Sequence, residues 1–266
     1  MANSKNFFDL SGKVVVLTGA SGLLGRKYTE GFCMSGANVA LCDINYTKCK
    51  ELKEDLEKKY DSKILAIRVD ITDQASVKSM VRKVIKEFSK IDVLVNNAVY
   101  PEGRKERSIP FEEFPTNLLN KIIAVNINGM ILCCQHVGKI MKKQRSGVII
   151  NVSSIYGLVA ADQRIYGKSG LNSTAAYAIT KSAILNLTRY LASYWSKTGI
   201  RVNSISLGGV ESGQDLEFIK RYSHKTMLGR MAKTDEYVGS VLYLASDASA
   251  YMTGSNLVVD GGWTAW

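Results

Sequence analysis

The stretch Thr18-Gly19-Ala20-Ser21-Gly22-Leu23-Leu24-Gly25 decides the fold, because it joins a buried strand to a helix through a glycine-rich turn. It follows the apolar run Lys13–Leu17 and opens an amphipathic stretch that reaches Ser35. Glycines at this spacing let the backbone turn tightly and approach a pyrophosphate, while the helix N-terminus supplies N–H donors. A lone glycine triplet is weak evidence, but its position after a first strand predicts a dinucleotide-binding βαβ unit. The turn residues expected to contact the dinucleotide are Gly19, Ser21, Gly22, Leu23, Leu24 and Gly25.

Beyond this turn, predicted strands and helices alternate to the end of the chain. The predicted strands are Lys13–Leu17, Asn38–Cys42, Ile64–Val69, Ile91–Val95, Gly147–Val152, Ile200–Ile205 and Asn256–Val259. The predicted helices after the first are Thr47–Tyr60, Gln74–Phe88, about Pro115–Gln144, Thr174–Lys197 and Asp235–Ser246. Because the strands are apolar throughout, we expect a parallel sheet covered on both faces. With right-handed crossovers this gives a Rossmann-type, doubly wound α/β sheet of about seven strands, in a single domain over residues 1–266.

The composition is that of a globular protein, since 46% of the 266 residues are hydrophobic and 22% are charged. A domain of this length buries about three quarters of its unfolded surface, so it needs no disulfide or metal for stability. The five cysteines form no Cys-x-x-Cys pair and lie in apolar segments, so we expect reduced core residues of a cytoplasmic protein. The stretch 1–13 is polar and the run Val14–Leu17 is short, so we predict neither a signal peptide nor a membrane association.

The net charge of +11 raises the question of a nucleic-acid partner. The lysines are dispersed through helical stretches and no nucleic-acid-binding motif accompanies them, so we expect a solvated basic surface and no nucleic acid. The alternative is that part of the charge faces an anionic substrate. The two histidines, His136 and His224, lack nearby ligands at metal spacing, so we predict no metal site.

Asp43 ends the second predicted strand, eighteen residues after Gly25. A carboxylate at that position can accept hydrogen bonds from the adenosine ribose hydroxyls, and it would repel a 2′-phosphate. The next residues, Ile44 and Asn45, offer no compensating cation. We therefore expect NAD as the cofactor, with NADP less favoured; the alternative is a solvated aspartate in a turn.

Tyr177 and Lys181 are four residues apart and therefore share one helix face. A free phenol titrates near ~10, and we expect the neighbouring ammonium to lower that pKa enough for proton transfer. The pair alone is common on protein surfaces. The pair becomes more specific evidence for an active site because the strand Ile150–Ser154 ends in two hydroxyls at the carboxyl edge of the sheet, where doubly wound folds bind ligands.

Taken in order, these motifs resemble the classical short-chain dehydrogenase/reductase family over nearly the whole chain. The matching segments are the Thr18–Gly25 turn, Asp70 with Ile71, Asn96-Asn97-Ala98, Asn126 in Val125–Gly129, Ser154, Tyr177 with Lys181, and Thr253–Gly262. The resemblance implies cofactor contacts at Asp70, Ile71, Asn97, Ala98, Tyr177, Lys181, Gly208 and Val210. It also implies that Asn126, Ser154, Tyr177 and Lys181 are catalytic.

The implied chemistry is hydride transfer between a nicotinamide and an alcohol or ketone carbon. Ser154 would hydrogen-bond the substrate oxygen, and Tyr177 would give or take its proton. Lys181 would hold the nicotinamide ribose and tune Tyr177, while Asn126 would hold a water of the proton relay. Donors preorganised at a developing alkoxide lower such a barrier strongly. For Ser153 and Asn128 we expect structural roles.

Several residues depart from the family pattern. Leu23 stands where the family has glycine, and with Gly22 it gives a spacing closer to the extended family of nucleotide-sugar epimerases and dehydratases. Those proteins are usually longer and carry a C-terminal substrate domain, which we do not expect here. Val99 replaces a glycine after Asn-Asn-Ala, and Leu207 replaces a proline before Gly208.

The segment between Ser154 and Tyr177 is longer than is typical of the family, and the surplus lies around Ala161–Gly170. We expect substrate loops at about 100–115, 155–175 and 207–233, the last containing a mobile lid over 212–230. Ser154, Tyr177, Arg104 and Arg164, with Lys168, would bind a hydroxylated small molecule, neutral or anionic, such as a sugar, sugar phosphate or nucleotide sugar. The alternative is that the polar segments Glu102–Arg107 and Ala161–Gly170 are solvated loops.

Two other classes of function remain open at this point. One is an epimerase or dehydratase that uses NAD transiently; the other is a non-catalytic NAD-binding regulatory protein. The second is disfavoured because Asn126, Ser154, Tyr177 and Lys181 are all present. The resemblance further implies a homotetramer or homodimer built on the two long helices, with Trp263 and Trp266 as candidate anchors of a second interface.

Overall fold

The sheet that the sequence predicts is present in the computed structural model, which describes residues 6–266. Residues 1–5, part of the predicted domain and of its polar N-terminal stretch, lie outside the described residues. The strands are β1 (Val14–Thr18), β2 (Asn38–Asp43), β3 (Ile64–Arg68), β4 (Val93–Asn96), β5 (Gly147–Ser154), β6 (Ile200–Leu207) and β7 (Asn256–Val259). All pair in parallel in the order β3-β2-β1-β4-β5-β6-β7. From β1 the chain adds strands first on one side, β2 and β3, and then on the other, beginning with β4. The point between β1 and β4 is the switch point of a doubly wound fold, which confirms the predicted class.

Helices cover both faces of this sheet. They are α1 (Leu23–Met34), α2 (Tyr46–Glu57), α3 (Gln74–Phe88), α4 (Arg104–Arg107), α5 (Thr116–Ile123), α6 (Met130–Gln144), α7 (Ala175–Tyr194), α8 (Leu216–His224) and α9 (Val238–Ala245). Successive side chains of a strand point to opposite faces. Val15 and Leu17 of β1 accordingly pack into one core with α1, α2 and α9, whereas Val14 and Val16 pack into a second core with α3, α6 and α7. Two buried faces are the reason why β1 is apolar at every position.

The five cysteines are free and buried, as predicted for core residues. Burial in apolar surroundings raises the pKa of each thiol, for example that of Cys33 to about 11. Such thiols are inert because little thiolate forms near neutral pH.

The long helix predicted over 115–144 is interrupted by a π-helical segment, Ala124–Gly129, between α5 and α6. One turn with an extra residue barely changes the spacing of apolar side chains, so hydrophobic periodicity does not reveal it. Such segments frequently occur at functional sites. Taken as one helix, Thr116–Gln144 is long and apolar enough to cross a membrane by length and composition. Its buried Cys133 and Val137 nevertheless pack against the sheet in the core of the domain.

Trp263 corrects one expectation about assembly. It is only 7% exposed and stacks on Tyr222 with ring centroids 4.3 Å apart, so it packs within the chain and is not available as an interface anchor. Trp266 is exposed, and its indole N–H donates to the Lys225 carbonyl. The sequence of a short apolar tail does not indicate whether its tryptophans pack within the chain or against another subunit.

The glycine turn brings the start of α1 against the end of β1. Gly19 has a φ of +65°, which glycine adopts without strain, and Ala98 occupies the space that a side chain would need. A Cβ on Gly25 would lie 2.1 Å from the Gly19 carbonyl oxygen. The helix therefore approaches the strand at a distance that only glycine allows at position 25.

Replacing Gly25 with alanine is expected to lower the free energy of unfolding by about 1–3 kcal/mol, because the backbone must shift to admit the methyl group. The matched control is Gly239→Ala in α9, where an added Cβ meets no heavy atom within 4 Å. That change should be neutral or stabilise by up to about 1 kcal/mol. Urea unfolding followed by circular dichroism measures both; equal stabilities of the two variants would contradict the packing described here.

Candidate active site

A cavity of about 430 Å³ opens at the carboxyl edge of the sheet, beside β5 and the first turns of α7. Ligand sites of doubly wound folds lie at this edge. The structure brings several predicted site residues together in the cavity wall. They are Leu24, Asn97, Ser154, Tyr177, Lys181, Gly208 and Val210.

Ser154 and Tyr177 face each other across this cavity. Ser154 is the last residue of β5, and its Oγ accepts a hydrogen bond from the Tyr156 N–H at 3.2 Å. Tyr177 lies in the first turn of α7, where its N–H donates to Oγ1 of Thr174, the residue that caps the helix. The Ser154 hydroxyl lies near the phenol and lowers its pKa, which favours the phenolate. One hydroxyl from a strand end and one phenol from a helix start can therefore bind the same substrate oxygen.

The pKa of Tyr177 corrects the expectation drawn from the sequence. Burial is the largest influence and raises the pKa above its ordinary value; the Ser154 hydroxyl and the charge of Arg107 lower it, while the charge of Glu102 raises it. Lys181 is not among the groups that shift this pKa, and its Nζ donates to the Val152 carbonyl at 2.9 Å and lies 5.5 Å from the centre of the Tyr177 ring. In the absence of a cofactor the phenol is a neutral proton donor at neutral pH.

Lys181 is buried and is held by the strand instead of by Tyr177. Its Nζ donates to the Val152 carbonyl at 2.9 Å. Its own carbonyl accepts from Ser153 Oγ at 2.8 Å, which agrees with the structural role expected for Ser153. Burial lowers the pKa of Lys181 to about 8, because a low-dielectric surrounding disfavours the ammonium.

Asn126 lies in the π-helical segment and is buried beneath α7. Its Oδ1 accepts from the Tyr100 N–H at 2.7 Å, and its Nδ2 donates to Thr180 Oγ1 at 3.1 Å. The amide thus ties the loop after β4 to α7 and sits one residue layer behind the cavity. Its predicted part in a proton relay remains a prediction.

The predicted cofactor residues outside α7 lie at the carboxyl ends of five strands of the sheet. They are Gly19, Ser21, Gly22, Leu23, Leu24 and Gly25 after β1, Asp43 on β2, Asp70 and Ile71 after β3, Asn97 and Ala98 after β4, and Gly208 and Val210 after β6. Asn97 Nδ2 donates to the carbonyls of Thr18 and Gly19, which fixes the turn from the side of β4. Leu23 points outward and is 52% exposed, so the missing glycine leaves the backbone of the turn unobstructed.

Asp43 is bound to the glycine turn itself. Its Oδ2 accepts from the Ser21 N–H and its Oδ1 from the Asn45 N–H, each at 3.0 Å. Asp70 is exposed, and its Oδ1 accepts from the backbone and hydroxyl of Thr72. A glycine-rich turn beside a fixed carboxylate suits a dinucleotide. The pyrophosphate needs accessible backbone N–H groups, and the ribose hydroxyls need a hydrogen-bond acceptor.

The cationic residues predicted to bind substrate lie outside the cavity. Arg104 is exposed, with its nearest polar contact at the Ser169 carbonyl. Arg164 is ion-paired with Asp162 at 2.8 Å, and Lys225 of the lid pairs with the same carboxylate at 2.7 Å. Lys168 is also exposed. The longer segment between Ser154 and Tyr177, called the insertion from here on, folds back onto α8. This turns the charged side chains of Arg164 and Lys168 away from Tyr177.

Other residues of the same loops do reach the cavity, and sequence reasoning missed them. Glu102, Arg107, Tyr156, Tyr166 and Tyr222 all line it. The tyrosines belong to an apolar cluster formed by the insertion, the lid and the C-terminal tail. Its buried members are Ile155, Ile165, Tyr166, Tyr222, Met231 and Trp263. The sequence did carry a signal for these lining residues, namely aromatic side chains among the charged residues of the insertion. Aromatic residues in an otherwise polar loop indicate that one face of the loop packs against the protein.

The lid lies against the backbone that follows β6. The Tyr222 hydroxyl accepts a hydrogen bond from the Gly209 N–H, and Gly209 lies between the predicted cofactor residues Gly208 and Val210. On the outer side, Arg221 contacts the insertion at Gly167 and at the Arg164 carbonyl. The lid segment predicted over 212–230 therefore forms the roof of the cavity.

Comparison with known proteins agrees with this geometry. A family model described as enoyl-(acyl carrier protein) reductase matches residues 19–264. A post-translational flagellin modification protein A from Campylobacter coli is 32% identical over 96% of this chain and 99% of its own. A sorbose reductase from Candida albicans is 35% identical over 99% and 91%, and a D-threitol dehydrogenase from Mycolicibacterium smegmatis is 33% identical over 97% and 95%.

Solved structures match over nearly the full length of the chain. A short-chain dehydrogenase from Leptospira borgpetersenii with bound NAD+ is 34% identical, with a TM-score of 0.85 over 99% of this chain and 98% of the other. A gluconate 5-dehydrogenase from Burkholderia cenocepacia in complex with NADP and tartrate is 27% identical, with a TM-score of 0.87 over 98% of both chains.

Replacing Lys181 with methionine is expected to stabilise the protein at pH 7 by about 1–3 kcal/mol, because a buried ammonium is removed. Above a pH of about 8 the folded protein releases this proton before the unfolded chain does. The unfolded state then binds more protons, so the stability of the parent rises with pH and the difference between the two proteins narrows. Chemical denaturation at pH 7, 8.5 and 10 measures this.

The control for this experiment is Lys139→Met, which removes an exposed ammonium from α6. It should leave the stability within about 0.5 kcal/mol of the parent at each pH. A Lys181→Met protein less stable than the parent at pH 7 would contradict the cost assigned to the buried charge.

Proposed function

The chain belongs to the short-chain dehydrogenase/reductase family, whose members act on CH–OH groups with a nicotinamide cofactor, and we propose that its substrate is a polyhydroxylated carbon chain and its cofactor NAD. The chain is an oxidoreductase that exchanges a hydride between the nicotinamide and a secondary alcohol or ketone. The observation that carries the proposal is the convergence of Ser154, Tyr177 and Lys181 on one cavity at the carboxyl edge of the sheet.

The proposed roles of the residues follow from their positions. The bound nicotinamide supplies the hydride acceptor or donor. Ser154 and Tyr177 bind the substrate oxygen from two sides, which fixes the carbon that reacts. Tyr177 gives its proton to the oxygen in reduction and receives it in oxidation, so its hydroxyl must stay within hydrogen-bond reach of that oxygen. Lys181, buried at the base of the cavity, places a cation below the phenol.

Asp43 supports NAD over NADP. The carboxylate is fixed by two backbone N–H groups at the end of β2. In the part of the chain from residue 6 onward, no lysine or arginine forms an ion pair with it. A 2′-phosphate next to an unneutralised carboxylate would be repelled, whereas ribose hydroxyls can donate to it. The relative from Leptospira was solved with NAD+, while that from Burkholderia was solved with NADP.

The size and polarity of the cavity support a small hydroxylated substrate. A volume of about 430 Å³ accommodates a short carbon chain, and its lining offers hydroxyls, amides and one carboxylate to substrate hydroxyls. Sorbose and D-threitol, the compounds in the names of two relatives, are both polyhydroxylated. These relatives are oxidoreductases, so neither an epimerase or dehydratase nor a non-catalytic regulator is favoured for this chain.

A homotetramer or homodimer is part of the proposal. Tyr190 and Tyr194 on α7 are 61% and 64% exposed and stack on each other with centroids 6.0 Å apart. Exposed paired aromatics on a long helix suit a helix-to-helix interface between subunits.

Replacing Tyr177 with phenylalanine is expected to lower NADH formation from polyols by about 10²–10⁴-fold, because the proton carrier is removed while the ring stays. Binding of NADH, followed by its fluorescence, should persist. The control is Tyr251→Phe, a fully exposed phenol outside the cavity, which should keep the parent rate. Parent-like turnover by Tyr177→Phe would exclude the proposed chemistry.

Replacing Asp43 with serine is expected to raise the ratio of kcat/KM with NADP to that with NAD by about tenfold or more, since one repulsive charge is removed. Steady-state kinetics with both cofactors measure the ratio. Asp55→Ser, an exposed carboxylate on α2, is the matched control and should leave it unchanged. An unchanged ratio in Asp43→Ser would argue against a part for Asp43 in cofactor choice.

A further inference from the structure

Arg107 is the cationic side chain that the substrate loops do bring into the cavity. It ends α4 and lines the same cavity wall as Tyr166 and Thr174. Its charge is close enough to lower the pKa of Tyr177. It lines the same cavity as Ser154 and Tyr177, whereas Arg104 of the same short helix is exposed and lies outside that cavity.

The insertion holds this guanidinium in place. The group lies over the Tyr166 ring, with its central carbon 5.3 Å from the ring centre. Its Nε points to the Asn172 carbonyl at 3.4 Å, and the Asn172 N–H donates to the Arg107 carbonyl at 2.7 Å. Asn172 Nδ2 also donates to the Ile109 carbonyl at 3.0 Å. Because both contacting residues belong to the longer segment between Ser154 and Tyr177, that segment immobilises Arg107.

The terminal nitrogens of Arg107 remain available. Within residues 6–266 they form neither a hydrogen bond nor an ion pair with a protein group, so two parallel N–H donors can face the cavity. A guanidinium binds a planar carboxylate through such a pair of bonds, and stacking on a ring removes the entropy that a free arginine would lose.

Glu102 limits the kind of anion that fits. Its Oε1 accepts from the Thr174 hydroxyl at 2.5 Å, and burial raises the pKa of the carboxyl while the charge of Arg107 lowers it. Glu102 and Arg107 form no ion pair with each other. With Lys181 counted, the lining of the cavity carries one net positive charge, so a monoanion on Arg107 makes the site neutral, whereas a phosphate dianion would leave a net negative charge beside Glu102.

We propose that Arg107 binds a carboxylate on the substrate, so that the preferred substrates are polyhydroxylated acids and their keto forms instead of neutral polyols. The inference rests on the proposed function and names the substrate class within it. Tyr166 and Asn172 act as positioning residues for the guanidinium, which gives the insertion a role in specificity without contact to the reacting carbon.

The test compares compounds that differ only at one end. D-gluconate and D-glucitol share a carbon skeleton, as do D-xylonate and xylitol, and D-threonate and D-threitol; D-glucitol 6-phosphate carries the alternative anion. NADH formation gives kcat and KM for each compound with the parent, Arg107→Ala, Arg107→Lys and the matched control Arg104→Ala. The thermal midpoint of each NADH-bound protein with and without each compound gives binding apart from turnover.

The parent should prefer at least one acid over its matched alcohol by about tenfold in kcat/KM. Arg107→Ala should lower kcat/KM for that acid by about 10–100-fold, mainly through KM, and that for the alcohol by a much smaller factor. Arg107→Lys should restore part of the loss, and Arg104→Ala should match the parent. Tyr166→Leu should weaken acid binding without altering the preference among alcohols.

Equal losses for acid and alcohol in Arg107→Ala would overturn the proposal, as would a preference for no acid of the panel. An Arg107-dependent preference for D-glucitol 6-phosphate would assign the site to phosphate instead. Failure of the proposed function is separable from these outcomes. No NADH from any compound would count against that function, while an acid that raises the thermal midpoint of the parent and not of Arg107→Ala would still support the carboxylate site.

Discussion

The docking of α7 on the end of β5 is the constraint on which the site depends. Two hydrogen bonds cross between them in opposite directions, from Lys181 Nζ to the Val152 carbonyl and from Ser153 Oγ to the Lys181 carbonyl. The approach is close, since a Cβ on Gly157 would lie 2.7 Å from that same carbonyl. These contacts fix the height of the helix on the strand and set Tyr177 opposite Ser154. Burying the Lys181 ammonium costs stability, and its hydrogen bond to β5 positions α7.

The second level of organisation is the cover over this site. The insertion after β5 and the lid after β6 share one apolar cluster, in which Tyr222 stacks on Trp263 and also accepts from the Gly209 N–H. Movement of the lid would therefore disturb the backbone beside Gly208. On the outer surface Asp162 pairs with Arg164 within the insertion and with Lys225 of the lid, and the second pair joins the two segments. Arg164, predicted to bind substrate, is instead the ion-pair partner of Asp162.

The sequence predicted the sheet, its helices and the positions of Ser154, Tyr177 and Lys181, because apolar periodicity and the ends of parallel strands are properties of local sequence. It did not predict what depends on how loops fold back in three dimensions. Arg104 and Arg107 are three residues apart, and Arg107 lines the cavity, where its guanidinium contacts Tyr166 and Asn172 of the insertion. The pKa of Tyr177 likewise depends on burial, and a spacing of four residues from Lys181 carries no information about that.

Hydride passes between the nicotinamide and a substrate carbon whose oxygen is held by Ser154 and Tyr177 at the end of β5. A crystal structure with NAD and a bound hydroxy acid or polyol tests this most directly. We expect the substrate oxygen about 3 Å from both the Ser154 and Tyr177 hydroxyls, with the nicotinamide ring against the backbone at Gly208–Val210. A nicotinamide bound elsewhere, or a Tyr177 hydroxyl turned away from the substrate oxygen, would contradict it.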